Sequence, residues 1–344
     1  MKLMKTEEAV GQVLCHDITQ IIPGVTKDAV FRKGHIITKE DIPVLLSVGK
    51  EHIYIWEKDE HMLHENEAAQ ILYEMCQNEH MHPSDVKEGK IELIADCDGL
   101  FKVDREKLRK VNSLGEMMIA TRHGNTFVKK GDKLAGTRII PLVIEKEKME
   151  RAKEICNDGS ILEIKPLQPK KAAILTTGSE VYHGRIKDKF TPVLVEKLKE
   201  YGSEVIFHEI YDDDHEAITK GCLSAIEQGA EIVLCTGGMS VDPDDKTPLA
   251  IKNTGARIVS YGAPVLPGAM FLVSYYEYKD KTIPIVGLPG CVMYAKRTIF
   301  DLALPRLLAN DFITAEELAL LGEGGLCLNC PVCTYPNCGF GKGW

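Results

Sequence analysis

The sequence lacks any apolar run of membrane-spanning length, and Met1 to Val10 lack the apolar core of a secretory signal. It also lacks a long basic block, an internal repeat and a low-complexity tract. Its formal net charge of −9 disfavours a nucleic-acid groove and suits a protein whose carboxylates hold metal ions. We therefore expect a cytoplasmic protein with neither a membrane nor a nucleic acid as partner.

A chain of 344 residues suits two or three domains, each with its own core. The stretch Pro166–Lys170 breaks any regular pattern, because proline fixes its own backbone and restricts the residue before it. We place the main boundary there. The prediction is an α+β N-terminal region of one or two subdomains over residues 1–168, an α/β domain over 169–312 and a cysteine-rich tail over 313–344.

Upstream of the boundary, apolar spacing predicts a few short elements. They are a capped helix after Asp41, a strand over His52–Trp56, a helix over His64–Gln77 and strands with glycine turns over 111–144. Four histidines in this region, together with Cys76, have spacings that metals use: His61, His64, His80 and His82. On so polar a segment we favour a solvated surface over a metal site.

Downstream, strand and helix patterns alternate. The strands are Ala172–Leu175, Val205–Phe207, Ile232–Cys235 and Ile283–Val286, and the helices are Val193–Tyr201, His215–Gln228, Thr247–Lys252 and Val292–Leu308. Alternation of this kind predicts a doubly wound, mostly parallel sheet with helices on both faces. Ligands of such sheets bind at the carboxyl ends of the strands.

Three glycine-bearing segments follow predicted strands: Thr176–Glu180, Thr236–Ser240 and Gly287–Gly290. Glycine lets the backbone turn tightly and brings peptide N–H groups close to a ligand, while the hydroxyls of Thr177 and Ser240 add donors. One such loop alone is more often a simple turn. Three loops at one edge of a sheet indicate a phosphate-bearing ligand.

Acidic residues collect at the same predicted edge: Glu180, Asp188, Asp212 to Asp214, Asp242, Asp244 and Asp245. Carboxylates near a bound phosphate can hold Mg²⁺, which completes its shell with phosphate oxygens and water. Helix capping is the alternative interpretation. Asp214 precedes one predicted helix and Asp245 precedes another, and that role alone would account for either of them.

In this order, the segments resemble the molybdenum-cofactor biosynthesis domain of molybdopterin adenylyltransferases and molybdopterin molybdenumtransferases. The resemblance covers Lys171 to Leu308. Thr177–Glu180 is similar to the first glycine loop of the family, and Thr236–Pro248 to its most diagnostic motif. Gly287–Gly290 and the long N-terminal region with Gly34–Ile37 resemble the molybdenumtransferases.

The resemblance implies a protein that binds molybdopterin or its adenylylated form, inserts molybdate or tungstate with Mg²⁺ and forms a homodimer through its N-terminal region. It implies chemical roles for Asp188, for Asp212 or Asp213, and for Asp245. We take Asp213 as the second of these acids. The implied ligand contacts are Thr177, Gly178, Ser179, Glu180, Gly237, Gly238, Ser240, Thr247, Pro289 and Gly290.

The chain also departs from the molybdenumtransferase pattern. Cys291-Val292 follows Gly290 where the family has Asn-Pro, and Lys189-Phe190 follows Asp188 where it has Ser-Asn. The N-terminal Asp-Gly-Tyr-Ala signature is missing, and Asp98–Phe101 is only distantly similar to it. Two alternatives stay open: a nucleotide or ADP-ribose pyrophosphatase of the competence-damage type, and a non-catalytic pterin-binding chaperone or redox sensor.

Four of the 11 cysteines crowd together in the pattern Cys327-x2-Cys330-x2-Cys333-x4-Cys338. The spacing predicts a metal site in a reducing compartment, either a [4Fe-4S] cluster or tetrahedral Zn²⁺, with a thiol switch as the alternative. The following segment, Gly339–Gly343, is predicted to be flexible, with Lys342 able to reach an anionic ligand. Cys291 is interpreted as a small buried residue that starts the last helix.

Overall fold

The computed structural model describes residues 2–22, 26–55 and 59–343. Trp56, the predicted end of a strand, lies outside the described residues. The chain forms two compact units, one of residues 1–96, 103–122 and 130–163 and one of residues 97–102, 123–129 and 164–344. The domain limits predicted from the sequence stay a prediction. Within the described ranges, no helix is long and apolar enough to cross a membrane.

Residues 2–166 contain short strands and helices. The strands are β1 (Lys2–Lys5), β2 (Ile18–Ile22), β3 (Thr26–Phe31), β4 (His52–Ile55), β5 (Met62–His64), β6 (Met81–Pro83), β7 (Ile91–Ala95), β8 (Gly99–Val103), β9 (Met117–Thr121), β10 (Thr126–Val128), β11 (Lys133–Ile139), β12 (Val143–Glu145) and β13 (Leu162–Pro166). The helices are α1 (Asp41–Ser47), α2 (Glu65–Cys76), α3 (Arg105–Asn112) and α4 (Lys146–Ile155), with a 3-10 turn at Thr6–Glu8. They form small separate sheets in the orders β1-β4, β2-β3, β5-β12, β6-β7-β11-β9 and β10-β8-β13.

Helix α2 begins where the sequence predicts, and His64 is the reason. Its imidazole accepts a hydrogen bond from the Asn66 N–H at 3.3 Å, and the Glu67 carboxylate accepts one from the His64 N–H at 2.9 Å. This reciprocal cap satisfies N–H groups that a helix start leaves unpaired. His64 is only 2% exposed, so its assignment to a solvated surface was wrong, whereas His80 and His82 are exposed as predicted.

Residues 171–320 carry the alternating elements. The strands are β14 (Lys171–Thr177), β15 (Glu204–Tyr211), β16 (Ile232–Thr236), β17 (Arg257–Tyr261), β18 (Leu272–Tyr278) and β19 (Lys281–Leu288). The helices are α5 (Ser179–Tyr182), α6 (Phe190–Lys199), α7 (His215–Glu227), α8 (Thr247–Asn253), α9 (Ile299–Leu308) and α10 (Ala315–Leu320), with a 3-10 helix at Gly290–Met293. The sheet order is β15-β14-β16-β19-β18-β17, parallel through the first four strands and antiparallel at β18 and β17. The predicted α/β class, a doubly wound and mostly parallel sheet after an α+β region, is confirmed.

Both faces of this sheet are buried, which explains the unbroken apolar runs of its central strands. Ala172 and Ile174 of β14 point to the face covered by α6 and α9, where Leu194 and Phe300 pack. The alternate residues of β14 point to the opposite face, which α7 and α8 cover. Each fully buried Ile or Leu contributes about 1.5–3 kcal/mol relative to exposure.

The predicted helix over Val292–Leu308 is wrong in its first part. A 3-10 helix ends at Met293, and α9 begins only at Ile299, after Thr298. Thr298 accepts a hydrogen bond from the Phe300 N–H at 3.2 Å, and Asp301 accepts one from the Thr298 N–H at 2.8 Å. This capping box starts a new helix. Strands β17 and β18 were also missed, because their antiparallel pairing interrupts the alternation of strand and helix.

The chain end was predicted to be flexible, and this is wrong. Phe340 is only 5% exposed and joins the core on the α6 and α9 face. The Gly341 N–H donates to the Gly324 carbonyl at 2.9 Å, and a methyl group at Gly341 would overlap the Leu302 side chain. Gly341 and Gly343 therefore allow close packing.

A buried charge cluster lies in the second unit around Asp311. Arg306 Nε donates to its carboxylate at 2.6 Å, and the ammonium groups of Lys102 and Lys165 each donate at 2.8 Å. Burial raises the pKa of Asp311, but the three cations outweigh this effect and lower it to about 2. The cluster ties β8 and β13 to the end of α9.

Candidate functional site

The three glycine loops begin at one edge of the sheet, as predicted. Strands β14, β16 and β19 are neighbours and parallel, and they end at Thr177, Thr236 and Leu288. Thr236 pairs in register with Thr176 on one side and with Leu288 on the other. The segments that follow these strands therefore leave the sheet side by side, at the place where doubly wound folds bind ligands.

Buried threonine hydroxyls hold the first two loops together. Thr177 Oγ1 donates to the Thr236 carbonyl at 3.0 Å and lies 3.0 Å from Thr247 Oγ1. Gly238 fits against this pair, since a Cβ there would lie 2.8 Å from Thr247 Oγ1. Thr177 and Thr247, both predicted ligand contacts, are buried and hydrogen-bonded within the protein. Their position suits them to shape the loops.

Gly237 makes the tightest approach in this loop. Its φ of +81° lies in the left-handed region, and a methyl group at this position would overlap the Thr177 carbonyl oxygen. Only glycine meets both demands without strain. The loop after β16 can therefore turn back against β14 and leave its peptide groups at the sheet edge.

Thr236 itself was not predicted as a site residue. Its side chain is fully buried, and within the described residues its hydroxyl oxygen has no hydrogen-bond partner. A buried polar atom without a partner costs about 1–3 kcal/mol. Thr236 begins the glycine-bearing segment Thr236–Ser240, but the sequence of that segment does not indicate that the hydroxyl is buried without a partner.

The first loop is closed by an acid from the neighbouring strand end. The Gly178 N–H donates to the Tyr211 carbonyl at 3.2 Å, and the Ser179 N–H donates to Asp213 Oδ2 at 3.0 Å. Glu180, the next residue, is exposed. Two predicted site residues, Ser179 and Asp213, are thus brought into direct contact.

Three other carboxylate groups lie near Asp213. Burial raises its pKa, as do the nearby carboxylates of Asp212, Glu180 and Asp244, and these effects outweigh the hydrogen bond from the Ser179 N–H. A phosphate approaching this group of acids would be repelled. The arrangement therefore favours a cation between the acids and any phosphate-bearing ligand.

The Asp188 carboxylate accepts hydrogen bonds from the first residues of α6 and from Thr176. The carboxylate accepts the Phe190 N–H at 2.8 Å, the Thr191 N–H at 3.1 Å, the Thr191 hydroxyl at 2.5 Å and the Thr176 hydroxyl at 3.1 Å. Burial raises the pKa of Asp188, but these four hydrogen bonds outweigh it and lower the pKa. Asp188 therefore satisfies the helix start as an ionised group.

The long second loop carries the remaining acids. Asp245 is partly exposed, and its carboxylate accepts the Asp242 N–H at 3.1 Å. Ser240 is exposed. Asp245 does not cap α8, because Lys246 takes the N-cap position without a side-chain bond, whereas Asp214 caps α7 as predicted. The Asp245 side chain can therefore serve another role.

The third loop follows β19. Pro289 is buried and Gly290 is exposed. A Cβ on Gly287 would lie 2.5 Å from the Met239 side chain, so this loop packs against the second one. Cys291 lies in the 3-10 helix, half-buried, and burial raises the pKa of its thiol. A neutral thiol of this kind suits packing better than nucleophilic chemistry.

His208 and Thr191, which were not predicted as site residues, lie close together at this edge. His208 Nε2 lies 3.0 Å from Thr191 Oγ1 and 3.3 Å from Thr176 Oγ1. We predicted that its strand ends at Phe207, whereas β15 continues to Tyr211. The β-favouring residues Ile210 and Tyr211 were the signal that could have extended it.

No ligand set for a metal is assembled among the residues that the structure describes. No group of three or more His, Cys, Asp or Glu side chains within those ranges is placed to hold an ion. The predicted ligands Cys327, Cys330, Cys333 and Cys338 form no disulfide. A cation at the acidic edge would therefore need ligands from the bound molecule as well.

Comparison with known families finds two matching segments. Residues 173–309 match the family described as "Probable molybdopterin binding domain". The matched segment contains all three glycine loops. Residues 3–57 match a family described as a domain of unknown function.

Similar curated proteins cover different shares of the chain. A molybdopterin adenylyltransferase of Pyrococcus furiosus is 27% identical over 135 residues, 39% of this chain and 76% of that protein. A molybdopterin molybdenumtransferase of Nostoc sp. is 26% identical over 196 residues, 55% of this chain and 44% of that protein. A competence-damage inducible protein of Bacillus subtilis is 32% identical over 89 residues, 26% of this chain and 21% of that protein. The chain matches less than half the length of the last two relatives.

Proposed function

We propose that residues 173–309 form a molybdopterin-binding domain, which takes up adenylylated molybdopterin at the edge formed by β14, β16 and β19. There the domain inserts molybdate or tungstate with release of AMP. The observation that carries the proposal is the convergence of three glycine loops at this edge. Backbone N–H groups at such turns bind phosphate oxygens. Molybdenum-cofactor biosynthesis is also the context of the adenylyltransferase and molybdenumtransferase relatives.

The predicted site residues divide into two groups by exposure. Those that a ligand can reach are exposed or partly exposed: Ser179, Glu180, Gly237, Gly238, Ser240 and Gly290. Those that shape the loops are buried: Thr177, Gly178, Thr247 and Pro289. We propose that the first group contacts the phosphates and the pterin, and that the second group holds these contacts in place.

Mg²⁺ is proposed as the cation that allows phosphates to approach. Asp213 is surrounded by Asp212, Glu180 and Asp244, whose charges a divalent ion would offset. Mg²⁺ usually takes one or two carboxylates and completes its shell with phosphate oxygens and water. The acids fit this role only together with a phosphate-bearing ligand. When bound, the ion would screen the phosphates during the transfer.

The residues of this chain act mainly by positioning. Backbone donors of the loops orient the phosphates, and Asp245 would hold the metal or orient water, because it is partly exposed and does not cap a helix. Asp188 already accepts four hydrogen bonds, three from α6 and one from Thr176, so we assign it the role of fixing Thr176 and Thr191 beside the loops. No covalent nucleophile is required.

The resemblance supports two further proposals. The chain forms a homodimer through its N-terminal region, as the molybdenumtransferase architecture implies. The tail cysteines bind a metal, a [4Fe-4S] cluster or Zn²⁺. Light scattering tests the first proposal, and metal analysis after anaerobic purification tests the second.

Turnover of an Asp245 variant tests the proposed function. The Asp245→Asn substitution keeps an oxygen that accepts the Asp242 N–H but removes the charge, while Asp245→Ala removes both. We expect both variants to melt within a few degrees of the wild type and to lose AMP release by about a hundredfold or more. Unchanged turnover in both would remove Asp245 from the mechanism.

A second candidate function is hydrolysis of ADP-ribose or a related nucleotide. It is favoured by the 32% identity to the competence-damage inducible protein over 89 residues. The same loops would then hold a pyrophosphate, and water would attack it. Release of AMP from ADP-ribose without pterin binding would support this candidate, and the absence of such release would exclude it.

A further inference from the structure

We infer that the cysteine tail holds its metal on three thiolates, those of Cys327, Cys330 and Cys333, and leaves one coordination position open to an outside ligand. The fourth cysteine, Cys338, is not a ligand in this account. The inference specifies which cysteines are ligands in the tail metal site proposed above. It does not depend on pterin chemistry.

A cavity groups three of the four cysteines. It has a volume of about 280 Å³, and its lining includes Cys327, Cys330, Cys333, Lys296, Arg297 and Asn329. Cys338 does not line it, although Cys338 packs, like Cys327, against the core on the α6 and α9 face. The four cysteines are therefore not equivalent, although they are close together in sequence.

The segment that carries the thiols is fixed at both ends. The Cys327 N–H donates to the Leu266 carbonyl at 2.8 Å, and the Tyr335 hydroxyl donates to the Asp301 carbonyl at 3.0 Å. Between these anchors Cys330 and Cys333 are exposed. In the described part of the chain no three ligands already converge, so a metal would draw the two exposed thiols toward Cys327.

The charges around the cavity suit an anionic metal centre. Lys296 Nζ donates to the Pro331 carbonyl at 3.1 Å, and Arg297, which also lines the cavity, pairs with Asp301 at 2.8 Å. Among the described residues that line the cavity, none is a carboxylate. A divalent ion with three thiolates carries one net negative charge, which the Lys296 ammonium can offset.

The spacing agrees with a three-cysteine site. Cys327-x2-Cys330-x2-Cys333 is the part of the bacterial ferredoxin run that serves one cluster, whereas the fourth cysteine of that run serves another. Zinc sites with three protein ligands keep a fourth position for water or substrate. The tail has a single run of this kind, so a cluster on its three thiolates would have one iron without a cysteine from a second run. Both metals therefore share one consequence, a position that takes a small Lewis base from outside the protein.

The test uses the full-length protein and the metals themselves. Metal-free protein is titrated anaerobically with Co²⁺ as a zinc probe, and in parallel reconstituted with iron and sulfide. Each tail cysteine is replaced by serine in turn, with Cys156→Ser as the control, because Cys156 lies in the first unit. Loss of outer-shell contacts alone weakens metal sites by about 10–100-fold, so loss of a thiolate should weaken binding by at least about tenfold.

We expect Cys327→Ser, Cys330→Ser and Cys333→Ser to lose binding, and Cys338→Ser to bind as tightly as Cys156→Ser. Cobalt or iron retention by the wild type identifies the class of metal. Because Cys338 packs on the core, a second readout avoids variants altogether. Imidazole added to the wild-type cobalt protein should shift the visible spectrum if a position is open.

Two results would overturn the inference in different ways. Loss of binding in Cys338→Ser with an intact fold, together with no effect of imidazole, would indicate a closed four-thiolate site. The tail metal site proposed above would then remain, but without an open coordination position. Absence of metal binding by the wild type would refute both the metal site and the open position. A failure of pterin binding would leave the inference untouched, since none of these measurements involves a pterin.

Discussion

Replacing Gly237 by alanine should destabilise the second unit more than a matched glycine replacement elsewhere. The left-handed backbone of Gly237, with φ of +81°, costs an alanine about 1 kcal/mol. The added methyl group would also overlap the Thr177 carbonyl oxygen, and overpacking of this kind costs about 1–3 kcal/mol. We therefore expect a loss of about 2–4 kcal/mol, with weaker binding of any ligand at the loop.

Gly255 provides the control. Its φ is +86°, and a Cβ there would meet no heavy atom within 4 Å. Gly255→Ala therefore introduces the backbone strain without the overlap and should cost about 1 kcal/mol. Urea denaturation followed by circular dichroism compares the two variants in the same unit. Equal losses would refute the claim that close approach to β14 dictates glycine at position 237.

Three further predictions concern the charge cluster, the tail and the acidic edge. The depressed pKa of Asp311, about 2 against an ordinary 3.8, stabilises the fold above pH 3.8 by up to about 2 kcal/mol before screening. This contribution is lost as the pH falls through 2. The loss in free energy of unfolding that Asp311→Asn causes, measured by urea denaturation, should therefore be smaller at pH 2 than at pH 7. Phe340→Ala should cost about 3 kcal/mol by the same assay, whereas a flexible tail would give no change. Because burial and nearby acids raise the pKa of Asp213, stability should fall as the pH rises through its folded-state pKa. Asp213→Asn should then melt higher than the wild type at pH 7 but not at pH 3, and equal melting at both would contradict the raised pKa.

The sheet could be predicted from the sequence because its signals are local. The apolar runs of β14 and β16 are buried on both faces, and a glycine follows each run. Those two features are enough to predict that the loops lie at one edge of the sheet. Fold class and loop positions therefore followed from pattern alone.

The states of the site residues could not be predicted in the same way. Asp188 and Asp245 are both partly exposed, yet the carboxylate of Asp188 accepts four hydrogen bonds whereas that of Asp245 accepts the Asp242 N–H. The burial of Phe340 and the different surroundings of Cys338 and Cys333 depend on packing between distant segments. Such contacts leave no periodicity in the sequence.

The most direct measurement of the central claim is anaerobic incubation of the protein with adenylylated molybdopterin, Mg²⁺ and molybdate, with AMP and metal-bearing pterin quantified together. The account predicts that AMP is released in step with metal insertion, and that omission of molybdate stops both. Tight pterin binding without AMP release would contradict it and indicate a non-catalytic chaperone or sensor.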